Sequence, residues 1–387
     1  MSSVLDTYAR NPISFNRGEG SYLYAENGEK YLDWVAGIAT NILGHCHPHV
    51  VKAIQDQSKK LIHVSNAFII KEAESLAKRL TDNTFADKVF FCNSGAESVE
   101  GAIKIVRKYF HTIGKLEKNR IIAMSGAFHG RTLAALFLAN NKSHTEGFGP
   151  KVDGFDQVAF GDHEALKKAI NKNTAAIIAE PIQGEGGIKT LPDYCLKGLR
   201  EICDEHGILL VFDCVQTSFR TGTLLGFENS GISADLCCVA KGFGNGFPIG
   251  AILLTNEVAK VMKHGSHGST FGNNLLACAA AHAVLDIVLA KGFFEEVKTK
   301  GEYFDKELKK LKDEFPKIIE EVRGINFIKG FKLKVDNNDF MSKLMKHKLL
   351  VVKASENCIR LFPSLLSTID ELDMGIKIIK KTCEEMN

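Results

Sequence analysis

Short apolar runs separated by amphipathic stretches characterise residues 88–240. The run 208–212 is too short for a helix and contains no polar residue, so we predict a buried parallel strand that ends at Asp213. The run 236–240 predicts a neighbouring strand that ends at Lys241. Similar runs predict earlier strands at 88–92, 121–124 and 175–179. Such strands alternating with helices predict an α/β fold with a mostly parallel central sheet wrapped by helices.

Polar and aromatic residues follow the three earlier strands. In chain order they are Ser94, Gly95, Ala96, Phe128, Arg131, Glu180 and Glu185. Because ligands of open α/β sheets bind at the carboxyl ends of the strands, we expect these residues to share one site. Each also has an ordinary explanation, since Ser94 is a typical helix N-cap, Phe128 a typical core residue and Arg131 a typical solvated cation. Their recurrence at strand ends favours a site.

Asp213 and Lys241 are the central pair of this predicted site. A lysine at a desolvated strand end can lose its proton and act as a Schiff-base nucleophile. An aspartate there can stabilise a positive charge on a ring nitrogen, as it does for the pyridinium of pyridoxal phosphate. Taken alone, either residue is more typical of a surface lysine or a helix-capping aspartate, and it is the combination with the other strand ends that favours the cofactor.

The two ends of the chain show patterns that differ from that of residues 88–240. Asn27-Gly28 between the aromatic-rich runs 22–24 and 30–33 predicts a β-hairpin, preceded by an arm over about the first 20 residues. From about residue 286 the sequence is helical and rich in Lys and Glu until about 322. Two short apolar runs then predict strands, and Thr368 with Glu371 forms a capping box that predicts the start of the last helix. The tail therefore predicts a smaller α+β domain.

Composition limits the class of function. The 387 residues are 45% hydrophobic and 25% charged, with a net charge of +3, which is typical of a globular enzyme. We expect neither nucleic acid nor membrane as a partner, because the charge is nearly balanced and no apolar run reaches the length of a membrane span. The N-terminus lacks a signal-peptide pattern and the ten cysteines lack paired spacing, so we expect a cytoplasmic protein without disulfides.

Two other classes of function match the sequence less well. His45, His47 and His49 suggest a metal site, but ligands this close cannot easily converge on one tetrahedral ion, and we expect no metal. The glycine-rich run 242–246 suggests a dinucleotide-binding turn, but it lacks the spacing of the third glycine in that fingerprint.

Six motifs in order resemble those of the class III pyridoxal-phosphate-dependent aminotransferases. They are FCNSGAE at 91–97, FHGRT at 128–132, EPIQGEGG at 180–187, DCVQT at 213–217, AKG at 240–242 and GSTFG at 268–272. The resemblance runs from about Arg17 to the C-terminus. The sequence departs from the family pattern at Cys214, where Glu is usual, and at Ser218-Phe219, where one residue is usually Gly.

The resemblance implies the large pyridoxal-phosphate-dependent transferase fold, working as a homodimer with the site at the subunit interface. It implies that residues 1–45 and 286–387 form a small domain and that residues 46–285 form the cofactor-binding domain. Lys241 would bind the cofactor covalently and shuttle the proton, and Asp213 would pair with the ring nitrogen. The remaining cofactor contacts implied are Gln216 to the ring hydroxyl, Phe128 stacked on the ring, and Ser94, Gly95, Ala96 and the other subunit's Thr270 around the phosphate.

The resemblance also implies a substrate pair. Arg131 and Ser269 would hold the α-carboxylate of N2-acetyl-L-ornithine, whose δ-amino group would pass to 2-oxoglutarate in arginine biosynthesis. Arg360 would hold the α-carboxylate of glutamate or 2-oxoglutarate, with Glu185 as its partner otherwise. Ornithine transaminases carry a tyrosine where Ile38 stands, which favours an acylated donor here. Ornithine, succinylornithine and succinyl-diaminopimelate remain alternative donors.

Overall fold

Strands and helices alternate along most of the chain. The computed structural model describes residues 3–387. The strands are β1 Phe15–Glu19, β2 Tyr22–Ala25, β3 Lys30–Asp33, β4 Lys88–Cys92, β5 Arg120–Met124, β6 Phe155–Val158, β7 Thr174–Ala179, β8 Ile182–Gln183, β9 Lys189–Thr190, β10 Leu209–Asp213, β11 Leu236–Val239, β12 Gly250–Leu254, β13 Ile319–Ile325, β14 Ile328–Leu333, β15 Leu349–Leu350, β16 Val352–Ala354 and β17 Cys358–Leu361. The helices are α1 Ala36–Ala39, α2 Pro48–Ser58, α3 Lys71–Asn83, α4 Gly95–Thr112, α5 Leu133–Ala139, α6 Lys142–Thr145, α7 His163–Ala169, α8 Asp193–His206, α9 Asn256–Ala259, α10 Leu275–Val288, α11 Phe293–Glu314, α12 Asn337–Lys346 and α13 Ile369–Glu384.

The central sheet has seven strands in the order β4-β12-β11-β10-β7-β5-β6. Strands β10, β11, β7 and β5 pair in parallel, as the apolar runs predict, and β6, which was not predicted from the sequence, pairs in parallel with β5. Strand β12 is antiparallel to both β11 and β4 and was not predicted from the sequence. The connection from β11 to β12 is too short for the crossover that a parallel strand needs, so the chain must turn back.

Both faces of this sheet are buried, which explains why its strands are continuously apolar. Phe212 and Cys237 point into the core on one face, while Val211 and Cys238 point into a second core on the other. Side chains alternate between the faces of a strand, so only an unbroken apolar run satisfies both cores. Helix α4 lies against β11 and β12, and helix α8 lies against β10. The sheet is therefore a rigid support for the residues at its strand ends.

A second sheet combines strands from both ends of the chain. The predicted hairpin forms from β2 and β3 around Gly28, whose φ of +82° suits glycine. Strand β1 adds to this hairpin, so the N-terminal arm is partly a strand rather than an unstructured segment. Strand β15 from the tail pairs in parallel with β3.

The C-terminal tail also forms an antiparallel sheet in the order β13-β14-β17-β16. The prediction that helical structure continues to about residue 322 is wrong, because α11 ends at Glu314 and β13 begins at Ile319. Pro316 explains this boundary, since proline lacks the N–H that a continuing helix needs. The capping box of Thr368 and Glu371 is present at the start of α13, as predicted.

The three clustered histidines point to different partners. His45 Nε2 lies 2.7 Å from Asp33 Oδ2, and His49 Nε2 lies 2.8 Å from Asp286 Oδ2. His47 caps α2. Across residues 3–387, no group of three His, Cys, Asp or Glu side chains has an arrangement that could hold a metal ion.

None of the helices within residues 3–387 is, by itself, long and apolar enough to cross a membrane. Helices α10 and α11 meet the criteria of length and composition only when taken together, and they are bent by 72° relative to each other.

Candidate active site

A cavity of about 430 Å³ opens at the carboxyl ends of the central strands. Its walls include residues from the ends of β4, β5, β7, β10 and β11, as the pattern of strand ends predicts. Of the residues singled out in the sequence, the cavity is lined by Ser94, Gly95, Ala96, Phe128, Arg131, Glu180, Glu185, Asp213, Gln216 and Lys241. Arg360, Ser269 and Thr270 are not part of this lining.

Asp213 is held rigidly at the end of β10. One carboxylate oxygen, Oδ1, accepts a hydrogen bond from the N–H of Val215 at 3.0 Å. The other, Oδ2, lies 2.8 Å from Nδ1 of His129, and both side chains are at most 4% exposed. Sequence reasoning did not single out His129, although it lies between two candidates in the motif at 128–132. Its contact fixes the orientation of the Asp213 carboxylate towards the cavity.

Lys241 follows β11 and faces the same cavity. Burial, followed by the charge of Arg360, lowers the pKa of Lys241 to about 8. Its backbone has a φ of +48°, an uncommon conformation for a residue other than glycine. The next residue must be small, because a Cβ at Gly242 would lie 2.7 Å from Ile42. The turn therefore directs an amine of reduced basicity into the cavity, as a nucleophilic lysine requires.

Glu180 is a second buried carboxyl group at this site. One of its oxygens accepts a hydrogen bond from the N–H of Phe128 at 3.1 Å. Burial and the negative charge of Asp213 raise its pKa well above the ordinary value. Glu180 thereby fixes the backbone of the Phe128 loop beside Lys241.

The N-terminus of α4 forms one end of the cavity. Ser94 is its N-cap, and its Oγ accepts a hydrogen bond from the N–H of Glu97 at 3.2 Å. A Cβ at Gly95 would lie 2.7 Å from Val215, so only glycine allows this close packing. The free N–H groups and the positive end of an 18-residue helix favour an anion here. The ordinary N-cap explanation for Ser94 and the anion-binding explanation are thus compatible.

Gln216 presents an unpaired acceptor to the cavity. Its Oε1 is buried and has no hydrogen-bond partner within the described chain. The residue opposite is Gly184, where any Cβ would overlap this oxygen. A buried polar atom without a partner is costly, so a bound group with a hydroxyl would complete the site.

Phe128 and Arg131 lie together at the cavity wall. The guanidinium carbon of Arg131 is 5.5 Å from the centre of the Phe128 ring. Nη2 of Arg131 donates a hydrogen bond to Nε2 of His144 at 3.1 Å. His144 carries no motif signal in the sequence, and only the fold brings it to this position.

Arg360 and Glu185 connect the tail to the cavity. Arg360 Nη2 lies 2.8 Å from Glu185 Oε2. Nε and Nη2 of Arg360 also donate to the carbonyl oxygen of Lys353 at 3.1 and 2.7 Å, whereas Nη1 is buried without a partner. Burial lowers the pKa of Arg360, and Glu185 acts in the opposite direction.

Ser269 and Thr270 lie on a loop near the N-terminus of α4. Ser269 Oγ accepts a hydrogen bond from Asn93 Nδ2 at 3.1 Å, which places it next to Ser94. Thr270 is exposed and is not among the residues that line the cavity. Phe271 next to it is also exposed.

A lysine of lowered pKa, an aspartate fixed by a histidine and an anion-binding helix end together define a pyridoxal-phosphate enzyme. The chain belongs to the aminotransferase class-III family, whose profile matches residues 5–383. It is 51% identical over 374 residues to the acetylornithine aminotransferase of Agrobacterium fabrum, covering 96% of this chain and 94% of that one.

Solved structures show the same similarity. An ornithine aminotransferase from Toxoplasma gondii aligns with a TM-score of 0.95 and 30% identity, covering 99% of this chain and 93% of the other. The acetylornithine aminotransferase of Elizabethkingia anophelis aligns with a TM-score of 0.88 and 31% identity, covering 99% and 96%. The chain is therefore a pyridoxal-phosphate-dependent aminotransferase with the expected fold.

The residues present fit this cofactor. The unpaired Oε1 of Gln216 offers an acceptor for a ring hydroxyl, and the carboxylate of Asp213 offers a partner for a ring nitrogen. The N-terminus of α4 supplies N–H groups for a phosphate, and Lys241 supplies the amine. A second structure of the Toxoplasma enzyme has pyridoxal phosphate at partial occupancy in its active site.

Proposed function

We propose that this enzyme transfers the δ-amino group of N2-acetyl-L-ornithine to 2-oxoglutarate, giving N-acetyl-L-glutamate 5-semialdehyde and L-glutamate, in arginine biosynthesis. The observation that carries this proposal is a pair of arginines: Arg131 lines the cavity, and Arg360, outside that lining, is paired with Glu185, which is part of it. Such an arrangement suits an amino donor that brings one carboxylate to the site, followed by an acceptor that brings two carboxylates. The similarity to acetylornithine aminotransferases supports the same substrate pair.

In this proposal the protein groups around the ring have separate roles. The cofactor, when bound, supplies an electron sink for the carbon that bears the amino group. Lys241 holds the cofactor covalently and, once displaced, moves the proton at that carbon. Asp213, oriented by His129, keeps the ring nitrogen protonated. Gln216 bonds the ring hydroxyl and Phe128 covers one face of the ring.

The phosphate site is completed from two directions. Ser94, Gly95 and Ala96 bind the phosphate through the N-terminus of α4. We assign Thr270 to the phosphate site of the other subunit, an assignment supported by its exposure and by its position outside the cavity lining of its own chain.

The two arginines differ in role, because Arg131 takes part in both half-reactions and Arg360 mainly in the one with 2-oxoglutarate. Arg131 and Ser269 hold the α-carboxylate of the acylated donor while Glu185 covers Arg360. When 2-oxoglutarate enters, Glu185 leaves and Arg360 binds the α-carboxylate. Covering Arg360 first prevents the donor's carboxylate from binding there in the wrong orientation.

The proposed assembly is a homodimer. Apolar side chains are exposed near Thr270, with Phe68 at 68%, Ile69 at 84% and Phe271 at 57%. Asn66 joins their two segments, because its Nδ2 donates to the carbonyl oxygens of Ser269 and Gly272, each at 2.9 Å. A contiguous exposed apolar patch of this kind is typical of a subunit interface. Sedimentation of the wild type and of Ile69→Lys tests the dimer, and we expect the variant to dissociate.

The same arrangement supports the domain division. Apart from Thr40, the residues that line the cavity come from between Asn93 and Ile249. We therefore assign cofactor binding to residues 46–285, and the small domain to residues 1–45 and 286–387. Arg360 is the small-domain residue that contacts the site, through its ion pair with Glu185. We place the reaction in the cytoplasm, a proposal supported by ten cysteines that are all free.

A panel of amino donors with 2-oxoglutarate as acceptor tests the function. We expect N-acetylornithine to have the highest kcat/KM, at least about fivefold above ornithine, because burying an unpaired α-amine costs about 1–3 kcal/mol. Succinylornithine and succinyl-diaminopimelate are the donors to compare next, since they are also acylated. Ile38 is 42% exposed and lies two residues before Thr40, which lines the cavity. The variant Ile38→Tyr is expected to raise kcat/KM for ornithine. Equal kcat/KM for acetylornithine and ornithine in the wild type would contradict the proposal.

A further inference from the structure

His144 contacts two residues of the proposed site at once. Its Nε2 lies 3.1 Å from Nη2 of Arg131. Its ring meets the ring of Phe128 edge-on, with the centroids 6.2 Å apart and the planes at 88°. Because Arg131 also lies 5.5 Å from the centre of the Phe128 ring, the three side chains form one cluster at the cavity wall.

The chemistry of the two side chains fixes the direction of the hydrogen bond. A guanidinium has only donors, so Nε2 of His144 accepts the hydrogen bond and the imidazole is neutral. Burial and then the charge of Arg131 lower the pKa of His144, while Glu185 acts weakly in the opposite direction. His144 is therefore in the accepting form at neutral pH.

Arg131 depends on this contact for its orientation. Arg131 is exposed. Within residues 3–387, its side chain forms a single hydrogen bond, the one to His144. A long exposed side chain without such a contact samples many rotamers and loses that freedom when a ligand binds. The bond to His144 orders the guanidinium beforehand and leaves its other N–H groups for a carboxylate.

On the basis of the proposed function, we propose that His144 is a positioning residue that orients Arg131 for the α-carboxylate of the amino donor. It acts through Arg131 and contributes to the affinity for donors that carry this carboxylate. Preorganisation of this kind changes substrate binding more than the chemical step.

Steady-state kinetics of the holoenzyme test this proposal. His144→Phe keeps a ring against Phe128 and removes the acceptor, whereas His144→Gln keeps a side-chain oxygen that can accept from Arg131. We expect His144→Phe to raise the KM of the amino donor about tenfold with kcat within about twofold, and His144→Gln to restore most of the loss. Lys142→Gln, on the same short helix, is the matched control and is expected to behave as the wild type.

A double variant shows whether His144 acts through Arg131. In the Arg131→Ala background, His144→Phe is expected to have no further effect on the donor KM, because the contact is already lost. An unchanged KM in His144→Phe, a loss of kcat that His144→Gln does not restore, or a full effect without Arg131 would each overturn the proposal.

The donor in these assays is whichever panel member with an α-carboxylate the wild type uses best. If that donor is not N-acetylornithine, the proposed substrate is wrong, and the role of His144 is still decided by the same variants.

Discussion

Arg360 forms an ion pair with Glu185, which lines the cavity, with 2.8 Å between Nη2 and Oε2. The side chain of Arg360 is only 2% exposed, whereas that of Glu185 is 40% exposed. Two further hydrogen bonds hold the guanidinium to the carbonyl of Lys353. Glu185 is therefore the partner that can leave, because it alone can reach solvent, and Arg360 then remains in place for a substrate carboxylate.

Removing Glu185 should change the balance between the two half-reactions. In Glu185→Ala we expect glutamate to become a better donor and N-acetylornithine a worse one, because Arg360 is then free to bind either carboxylate. Absorbance of the bound cofactor after mixing with each substrate alone measures this. Glu185→Gln is the matched control, since it keeps the size and loses the charge. Unchanged rates with both substrates in Glu185→Ala would show that the pair does not control access.

The two arginines should differ in their effects. Arg360→Ala is expected to slow mainly the glutamate and 2-oxoglutarate half-reaction by more than tenfold, since losing one partner of a buried charge pair costs about 2–5 kcal/mol. Arg131→Ala is expected to impair both half-reactions. The same single-turnover absorbance measurement separates them. If Arg360→Ala slows N-acetylornithine as much as glutamate, the proposed division of roles is wrong.

Asp213 offers a test of the ring nitrogen. Asp213→Asn keeps the hydrogen-bonding shape but loses the charge that keeps this nitrogen protonated. We expect a fall of several orders of magnitude in kcat with an unchanged fold, because stabilisation of the carbanion passes through that nitrogen. Circular dichroism and thermal unfolding serve as the control for folding. A near-normal kcat would contradict the role of Asp213.

The lowered pKa of Lys241 predicts a pH dependence for cofactor capture. Because the pKa is about 8 in the folded protein, the fraction of free amine rises through about pH 8. The rate at which the cofactor-free protein binds pyridoxal phosphate covalently should rise over the same range. Stability of the cofactor-free protein should also rise from about pH 8 towards the ordinary lysine pKa, because the unfolded chain there binds the extra proton.

Lys241→Ala is the control for this pH dependence. It should bind the cofactor only non-covalently and should have no turnover. Borohydride reduction of the wild type followed by peptide mapping should find the cofactor on Lys241. Attachment to another lysine would overturn the assignment.

The amino-acid sequence by itself determined the class of fold and about half of the residues of the cavity wall. Strands buried on both faces must be continuously apolar, so β10 and β11 are recognisable without any tertiary information. Asp213 and Lys241 stand directly after those runs, and the carboxyl ends of parallel strands meet at one edge. The local sequence pattern alone therefore predicts that these two side chains share one site.

Only the tertiary structure decided which distant side chains complete the site. The contacts of His129 with Asp213 and of His144 with Arg131 depend on how loops pack, whereas the pairing of Glu185 with Arg360 was already implied by the family resemblance. Strand β12 was missed for a related reason, since pairing direction depends on the length and path of a connection. Periodicity reports whether a residue is buried, but it carries no information on which partner a polar side chain meets.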